Sequence, residues 1–295
     1  MTSTGRTRRS ILRLVLASVA SPPVFATDGR MRIFITGSTD GLGRAAALTL
    51  IDAGHQVVLH ARSRQRAEAL ADLAPRAAGV VVGDLASAAE IRSLAEQVNE
   101  VGRMHAVIHN AGIYREPVRG ATPEGHARVL AVNTLAPYLL TALMERPDRL
   151  VYLSSGMHRG GSPRLDGMVW SGHRVSASYS DSKLFVTTLA AAVARRWPEV
   201  FSNSVDPGWV PTKMGGPNAP GDLRLGHLTQ EWLATSDAPE ACTSGGYWHH
   251  QRRIEPHASV HDVKFQDRLL GELARATNIG WRDERDSTSQ TRGER

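Results

Sequence analysis

The chain has 295 residues, of which 41% are hydrophobic and 22% are charged. This composition is typical of a globular protein with a sizeable core, and the length suits one large α/β domain or two smaller ones. The formal net charge is +6, but no basic stripe with interleaved aromatic residues is present, which argues against a nucleic-acid-binding protein. The single cysteine, Cys242, excludes an intrachain disulfide and is predicted to be inert.

The first thirty residues form an N-terminal extension, residues 1–30, whose composition differs from the remainder of the chain. Arginines at positions 6, 8 and 9 precede an apolar stretch at residues 11–20, a layout that resembles an export signal. A disordered extension, or a functional start at Met31, is the favoured alternative. Because the stretch is short and Arg13 interrupts it, we predict no membrane span here, and no later segment reaches spanning length.

From Met31 onward, short β-rich segments alternate with helical patterns. The predicted strands cover residues 31–36, 56–59, 80–82, 105–109, 149–153 and 245–248. The predicted helices cover residues 44–53, 63–73 and 122–144, together with a helix that Ser87 caps. This alternation predicts βαβ crossovers and a doubly wound parallel sheet of the Rossmann type. Because there is no internal repeat or linker, residues 31–281 are predicted to form a single α/β domain, and residues 282–295 a disordered polar tail.

The turn after the first strand has the sequence TGSTDGLG at residues 36–43. Glycines let the backbone turn sharply and approach a pyrophosphate, and the next helix offers its free N–H groups to that anion. Because this turn lies between a strand and a helix, it predicts a dinucleotide site. The candidate cofactor residues of the turn are Thr36, Gly37, Asp40, Gly41, Leu42 and Gly43.

The TGxxxGxG spacing of this turn resembles the short-chain dehydrogenase/reductase family, in its non-extended branch with a YxxxK motif. The whole pattern looks most like the retinol-dehydrogenase-like and carbonyl-reductase-like members. The resemblance implies that further cofactor contacts come from residues after the third and fourth strands and from a later Pro-Gly loop. These residues are Asp84, Leu85, Asn110, Ala111, Gly112, Pro207, Gly208, Val210 and Thr212. In the family, the residue at the position of Thr212 commonly holds the nicotinamide carboxamide.

The end of the second strand indicates which dinucleotide is bound. An acidic residue there would bond the ribose 2′-hydroxyl of NAD, but Ala61 occupies that place. The next residue, Arg62, can pair with the 2′-phosphate of NADP. NADP(H) is therefore the predicted cofactor, and the alternative is that Arg62 is merely a solvated residue at a helix start.

Tyr179 and Lys183 match the family's Tyr-x-x-x-Lys motif. Residues four apart share one helix face, so the Lys183 ammonium, together with oxidised nicotinamide, is expected to lower the pKa of the Tyr179 phenol. The resemblance implies that Tyr179 donates a proton and that Lys183 holds the cofactor ribose. It also implies that Ser155 bonds the substrate carbonyl oxygen and that Asn133 holds a water in a proton relay. Pro137 lacks an N–H for the carbonyl of Asn133 and is expected to interrupt the helix there.

The predicted activity is an NADPH-dependent ketoreductase acting on a bulky, mostly apolar ketone. Apolar residues that suggest such a pocket are Leu165, Met168, Val169, Trp170 and Trp232, with Trp209 as a candidate for the mouth. The ketone of an aromatic polyketide, such as an anthracycline side chain, is one candidate substrate. The alternatives are an NAD-dependent alcohol dehydrogenase of the same family and a catalytically silent NADP-binding sensor or scaffold.

The predicted partner is a small ketone or alcohol substrate, and a homo-oligomer is left open. No metal site is predicted, because the late histidines at positions 249, 250, 257 and 261 have no cysteine or carboxylate set around them. These histidines are predicted to lie at the surface or an interface. A nicotinamide-dependent reductase needs a cytosolic cofactor pool, so a cytoplasmic location is predicted, with export by the N-terminal extension left open.

Overall fold

The computed structural model of the protein describes residues 29–114, 121–165 and 178–281. The predicted polar tail and nearly all of the predicted N-terminal extension lie outside these residues. In the described part of the chain, no helix combines the length and apolar character that crossing a membrane requires.

The described residues form an eight-stranded sheet with the order β3-β2-β1-β4-β5-β6-β7-β8. The strands are β1 (Arg32–Ile35), β2 (Gln56–Ala61), β3 (Gly79–Val82), β4 (Ala106–His109), β5 (Arg149–Leu153), β6 (Phe201–Asp206), β7 (Tyr247–His249) and β8 (Arg252–Ile254). The first seven strands run parallel, which confirms the doubly wound Rossmann-type sheet. The exception is β8, which pairs antiparallel with β7 at the sheet edge.

Helices cover both faces of the sheet, so alternate strand residues are buried on opposite sides. Phe34 belongs to one hydrophobic cluster, whereas its neighbours Ile33 and Ile35 belong to the other. The helices are α1 (Gly41–Asp52), α2 (Arg64–Ala67), α3 (Ala88–Val101), α4 (Arg128–Leu130), α5 (Ala136–Leu143), α6 (Tyr179–Arg196), α7 (Leu223–Thr235) and α8 (Val263–Thr277). Ser87 caps α3 as predicted, because its side chain accepts a hydrogen bond from the Glu90 N–H.

Two predicted helices differ from the structure. The helix predicted from residue 122 begins at Arg128 instead, because the Thr122 N–H donates to the carbonyl of His126 in a tight turn. Gly125 permits this turn with a φ of +84°. The helix predicted at residues 63–73 is also shorter: α2 ends at Ala67 and gives way to 3₁₀ turns.

Candidate active site

Most of the predicted cofactor residues line a cavity of about 530 Å³ at the carboxyl ends of the strands. The strand order reverses between β1 and β4, and ligands of open α/β sheets bind at such a switch point. The cavity brings together Gly37, Asp40, Gly41, Leu42, Arg62, Asp84, Leu85, Asn110, Ala111, Gly112, Tyr179, Lys183, Pro207 and Thr212. Of the other candidates, Gly208 and Val210 line an adjoining cavity, while Thr36 and Gly43 do not line either one.

The glycine turn is held against the loop after β4 by direct hydrogen bonds. The Asn110 side-chain amide donates to the carbonyl of Thr36 at 2.9 Å, and the Ala111 N–H donates to the Thr36 hydroxyl at 3.0 Å. Gly43 lies so close to this junction that an added Cβ would come within 2.3 Å of the Asn110 Nδ2. Thr36 and Gly43 therefore shape the turn from behind, and they need not touch a bound dinucleotide to do so.

The turn directs the N-terminus of α1 into the cavity. Asp40 caps α1 and accepts a hydrogen bond from the Gly41 N–H at 2.8 Å, while Gly41 itself has a φ of +51°. The positive end of the helix dipole and the glycine backbone together form a cradle that suits a pyrophosphate. The residues present thus fit the phosphates of a dinucleotide.

The cavity carries more positive charge than the sequence predicted. Besides Arg62, the cavity is lined by Arg66 and Lys213. Lys213 forms an ion pair with Asp40, and this pair lowers the pKa of the Asp40 carboxyl. Two signals could have revealed these residues, because Arg66 follows Arg62 at a helical spacing of four and Lys213 directly follows Thr212.

His60 is a third residue of this cavity that the sequence did not predict. It is buried at the end of β2, where its Nδ1 accepts from the Gly37 N–H and its Nε2 donates to the carbonyl of Gly83, both at 2.8 Å. Burial lowers the pKa of this imidazole, which favours the neutral form that the two hydrogen bonds require. His60 therefore links the glycine turn to the segment after β3.

Tyr179 and Lys183 lie on the first turns of α6, as the motif predicted. Ser178 and Asp181 form a capping box that starts the helix at Tyr179. The Lys183 ammonium lies 5.6 Å from the centre of the Tyr179 ring and donates to the carbonyl of Leu153 at 2.7 Å. The end of β5 therefore holds Lys183 in place beneath the phenol.

Burial dominates the acid–base properties of this pair. It raises the pKa of Tyr179 to about 12, although the hydroxyl of Ser155 opposes this shift. Burial also lowers the pKa of Lys183 to about 8, against the opposing charge of Asp206. The expectation that the lysine would lower the phenol pKa is not met by the protein alone, since desolvation is the largest influence on Tyr179 and raises its pKa. Tyr179 is consequently a protonated phenol.

Ser155 and Ser154 make different contacts at the end of β5. Ser155 caps the turn that follows the strand, where its hydroxyl accepts from the Met157 N–H at 3.2 Å and contacts Tyr179. Ser154 faces inward and shares a 2.6 Å hydrogen bond with the Thr187 hydroxyl. The Ser155 hydroxyl therefore lies beside Tyr179, whereas the Ser154 hydroxyl is engaged by α6.

Asn133 lies in a π-helical turn, Ala131–Leu135, between α4 and α5. Its side-chain amide bonds both the N–H and the carbonyl of Ile113 and donates to the Ser182 hydroxyl at 3.0 Å. An added Cβ on Gly112 would lie 3.4 Å from the Asn133 Oδ1 and 3.3 Å from the Lys183 Nζ. Asn133 and Lys183 therefore approach the same glycine from two different segments of the chain.

A second cavity of about 760 Å³ adjoins the first and shares Tyr179 with it. Its walls include Tyr114, Ser155, Met157, Trp209 and Met214. The Tyr114 ring meets the Tyr179 ring edge to face, with centres 4.8 Å apart. Trp209 is 63% exposed, which places it at the mouth as predicted.

Two of the predicted pocket residues belong elsewhere. Leu165 is buried in a hydrophobic core cluster, and Trp232 packs against Trp248 with ring centres 5.1 Å apart. Leu165 and Trp232 therefore stabilise the fold and do not form the substrate wall. The predicted pocket residues Met168, Val169 and Trp170 lie outside the described residues.

The late histidines make contacts with their neighbours. His249 bonds the carbonyl of Asp206 at 3.1 Å and stacks on His250. The His257 N–H donates to the Nε2 of His158 at 3.0 Å. Within the residues that the structure describes, no three His, Cys, Asp or Glu side chains are grouped as metal ligands would be.

The chain is similar to known dehydrogenases and reductases in sequence and in fold. The family of short chain dehydrogenases matches residues 31–156. The uncharacterized oxidoreductase AN7799 of Emericella nidulans is 41% identical over 85% of this chain and 98% of its own length. A protein of Streptomyces sp. (strain C5), named "Putative daunorubicin C-13 ketoreductase DnrU", is 34% identical over 76% of this chain and 84% of its own. The crystal structure of an uncharacterized protein from Mycobacterium paratuberculosis has the same fold, with a TM-score of 0.71 at 23% identity over 88% of this chain and 97% of that one.

Proposed function

Because this chain belongs to the short-chain dehydrogenase family, we propose that it is an NADPH-dependent ketoreductase that reduces a bulky, mostly apolar ketone with Tyr179 as the proton donor. Members of the family are oxidoreductases that use a nicotinamide cofactor. One observation carries the proposal: Tyr179 is a protonated phenol on the wall that the two cavities share, beside Ser155 and Lys183.

The first cavity suits the cofactor, and the second suits the substrate. The first has a glycine cradle for phosphates, and Arg62 and Arg66 lie at the end where a 2′-phosphate would bind. Their guanidinium groups, with Ala61 in place of an acidic residue, support NADP(H) over NAD. When bound there, the nicotinamide cofactor supplies the hydride that reduces the carbonyl carbon.

The side chains at the shared wall provide the proton and stabilise charge. The Ser155 hydroxyl is placed to donate to the substrate oxygen, where negative charge grows during reduction. Tyr179 delivers its proton to that oxygen, because a phenol with a raised pKa holds its proton until the alkoxide forms. Lys183 lies under the ring, and Asn133, which bonds the loop after β4, is the candidate to hold a water for proton resupply.

The substrate class follows from the second cavity and from one relative. A cavity of about 760 Å³ with Tyr114, Met157, Trp209 and Met214 on its walls suits a large apolar ketone. The 34% identity to a protein named for daunorubicin ketone reduction supports an aromatic polyketide ketone as a candidate. The domain is proposed to comprise residues 31–281, to act on small molecules, and to work in the cytoplasm, where reduced cofactor is maintained.

Tyr179→Phe tests the enzyme against a silent NADP-binding protein. The variant removes one hydroxyl and should lower kcat at least about 1000-fold, because general acid catalysis and alkoxide stabilisation are both lost. NADPH binding, followed by fluorescence titration, should stay within about twofold of the wild type. Tyr138→Phe, on α5, is the matched control, because its hydroxyl bonds the carbonyl of Ile279 outside both cavities. Equal turnover by wild type and Tyr179→Phe would refute the mechanism.

A further inference from the structure

Asp206 is a carboxylate in the second cavity that the proposed reaction does not use. It ends β6, immediately before Pro207, and its side chain is 15% exposed. It lines the second cavity but not the first, so it faces the substrate side of Tyr179. A carboxylate is an unexpected group in a pocket whose other walls include Met157, Trp209 and Met214.

The Asp206 carboxylate is only partly satisfied by the described residues around it. Its Oδ1 accepts a hydrogen bond from the Gly208 N–H at 3.0 Å. Its Oδ2 lies 3.8 Å from the His249 Nδ1, which is beyond hydrogen-bond distance. The Tyr247 hydroxyl is the remaining neighbour, and its interaction with the Asp206 carboxylate adds to the burial that raises the pKa of this phenol.

The cations nearby are engaged with other groups. The Lys183 ammonium donates to the carbonyl of Leu153, and the Arg159 guanidinium donates to the carbonyl of Glu255. The negative charge of Asp206 still acts on the site, since it adds to the burial that raises the pKa of Tyr179. A largely buried carboxylate with spare acceptor capacity gains most from a donor that a ligand brings.

The open side of the carboxylate points over Gly156, the residue after Ser155. A Cβ added to Gly156 would lie 3.0 Å from the Asp206 Oδ2, and both residues line the second cavity. Glycine at this position thus lets the Asp206 Oδ2 approach the chain next to Ser155, the residue proposed to bond the carbonyl. A donor on the substrate would fit at this point while the apolar remainder lies against Met157 and Trp209.

We propose that Asp206 accepts a hydrogen bond from a hydroxyl or ammonium group near the reactive carbonyl, so that the preferred substrates are ketones carrying such a donor. The inference rests on the proposed reductase function and adds the class of substrate to it. A carboxylate cannot donate, so an ether oxygen in the same place would leave the contact unmade. Met157 and Trp209 would then contact the apolar part of an amphipathic ketone.

The test compares three aromatic ketones of matched size that carry an α-hydroxyl, an α-methoxyl or an α-ammonium group. They are assayed with the wild type and Asp206→Asn, and the readout is the ratio of kcat/KM for each donor ketone to that for the methoxy ketone. Asp206→Asn should lower this ratio about tenfold or more, as expected for losing a hydrogen bond to a charged group. A salt titration separates the two donors, because only the ammonium contact weakens as ionic strength rises.

Glu255→Gln is the matched control, because it removes one negative charge from a side chain that is 90% exposed and lies outside the cavity. It should leave the ratio unchanged. An equal loss of activity of Asp206→Asn towards all three ketones would show a structural role and overturn the proposal. If Asp206→Asn fails to fold, Asp206→Ser is used in its place. A wild-type preference for the methoxy ketone would overturn the proposal for Asp206 but leave the proposed reductase function standing. Failure of the wild type to reduce any ketone would refute the proposed function and the inference with it.

Discussion

Gly43→Ala is expected to destabilise the protein although alanine favours helices. Gly43 lies in the first turn of α1, and its added methyl would lie 2.3 Å from the Asn110 Nδ2 and 2.4 Å from the carbonyl oxygen of Gly37. Overpacking of this kind costs about 1–3 kcal/mol, and displacing Asn110 from the carbonyl of Thr36 costs about 1 kcal/mol more. The better helix propensity of alanine returns up to about 1 kcal/mol. The net loss is then about 2 kcal/mol.

The assay is urea denaturation followed by circular dichroism, with thermal melting alongside. A loss of about 2 kcal/mol corresponds to a melting temperature lower by about 4–8 °C for a domain of this size. Gly271→Ala is the matched control, because Gly271 lies within α8 and an added Cβ there would meet nothing within 4 Å. That variant should gain about 0.5–1 kcal/mol.

The two variants separate packing from helix propensity. If Gly43→Ala proves as stable as Gly271→Ala, the close approach of α1 to Asn110 is not what requires glycine. NADPH binding by Gly43→Ala should also weaken, because the displaced Asn110 holds the turn that forms the phosphate cradle.

Three further variants test other parts of the molecule. Arg62→Ala should reduce the preference for NADPH over NADH at least about tenfold, whereas Arg76→Ala, which lies outside the cavity, should leave it unchanged. The same NADPH/NADH preference in both variants would show that Arg62 does not contact the cofactor. Lys183→Met should abolish turnover yet raise the free energy of unfolding at neutral pH by about 1–3 kcal/mol, because burial lowers the pKa of Lys183 to about 8. The wild type carries the buried charge below pH 8, so the extra free energy of unfolding of the variant, measured by urea denaturation, should shrink as pH rises towards 10.5. An extra free energy of unfolding that does not change with pH would contradict this cause. Thr141→Val should cost about 1–3 kcal/mol in the same assay, because the Thr141 hydroxyl bonds the buried Tyr152 hydroxyl at 2.8 Å, and an unchanged stability would mean that water replaces it.

The features that the sequence predicted best depend on short spacings. The glycine turn and the Tyr179–Lys183 pair are each set by residues within eight positions of one another, so strand, turn and helix periodicity determine their geometry. Six of the seven parallel strands were predicted from their short β-rich patterns, whereas β6 was not among the predicted strands.

The features that the sequence did not predict depend on contacts between distant segments. Lys213 reaches the cofactor cavity only because the loop after β6 returns to the N-terminus of α1, where it meets Asp40. Leu165 has the apolar character of a pocket residue, and only the packed structure shows that it lies in the core. The start of the helix at Arg128 depends on the positive φ of Gly125, which redirects the capping group of Thr122. In each case the local pattern is compatible with two outcomes, and tertiary packing selects one.

The π-helical turn at Ala131–Leu135 has a consequence for how the helix between β4 and β5 can change during evolution. Such a turn holds one residue more than an α-helical turn, which rotates all that follows by about 100°. The extra residue lets the π-helical turn present Asn133 towards Ser182 while Tyr138 and Leu139 on α5 still face the core. Deleting any one residue from this turn would restore a regular helix and misalign one of the two faces. The orientation of the Asn133 amide and that of the core residues after it are therefore coupled, because both depend on the number of residues in this one turn.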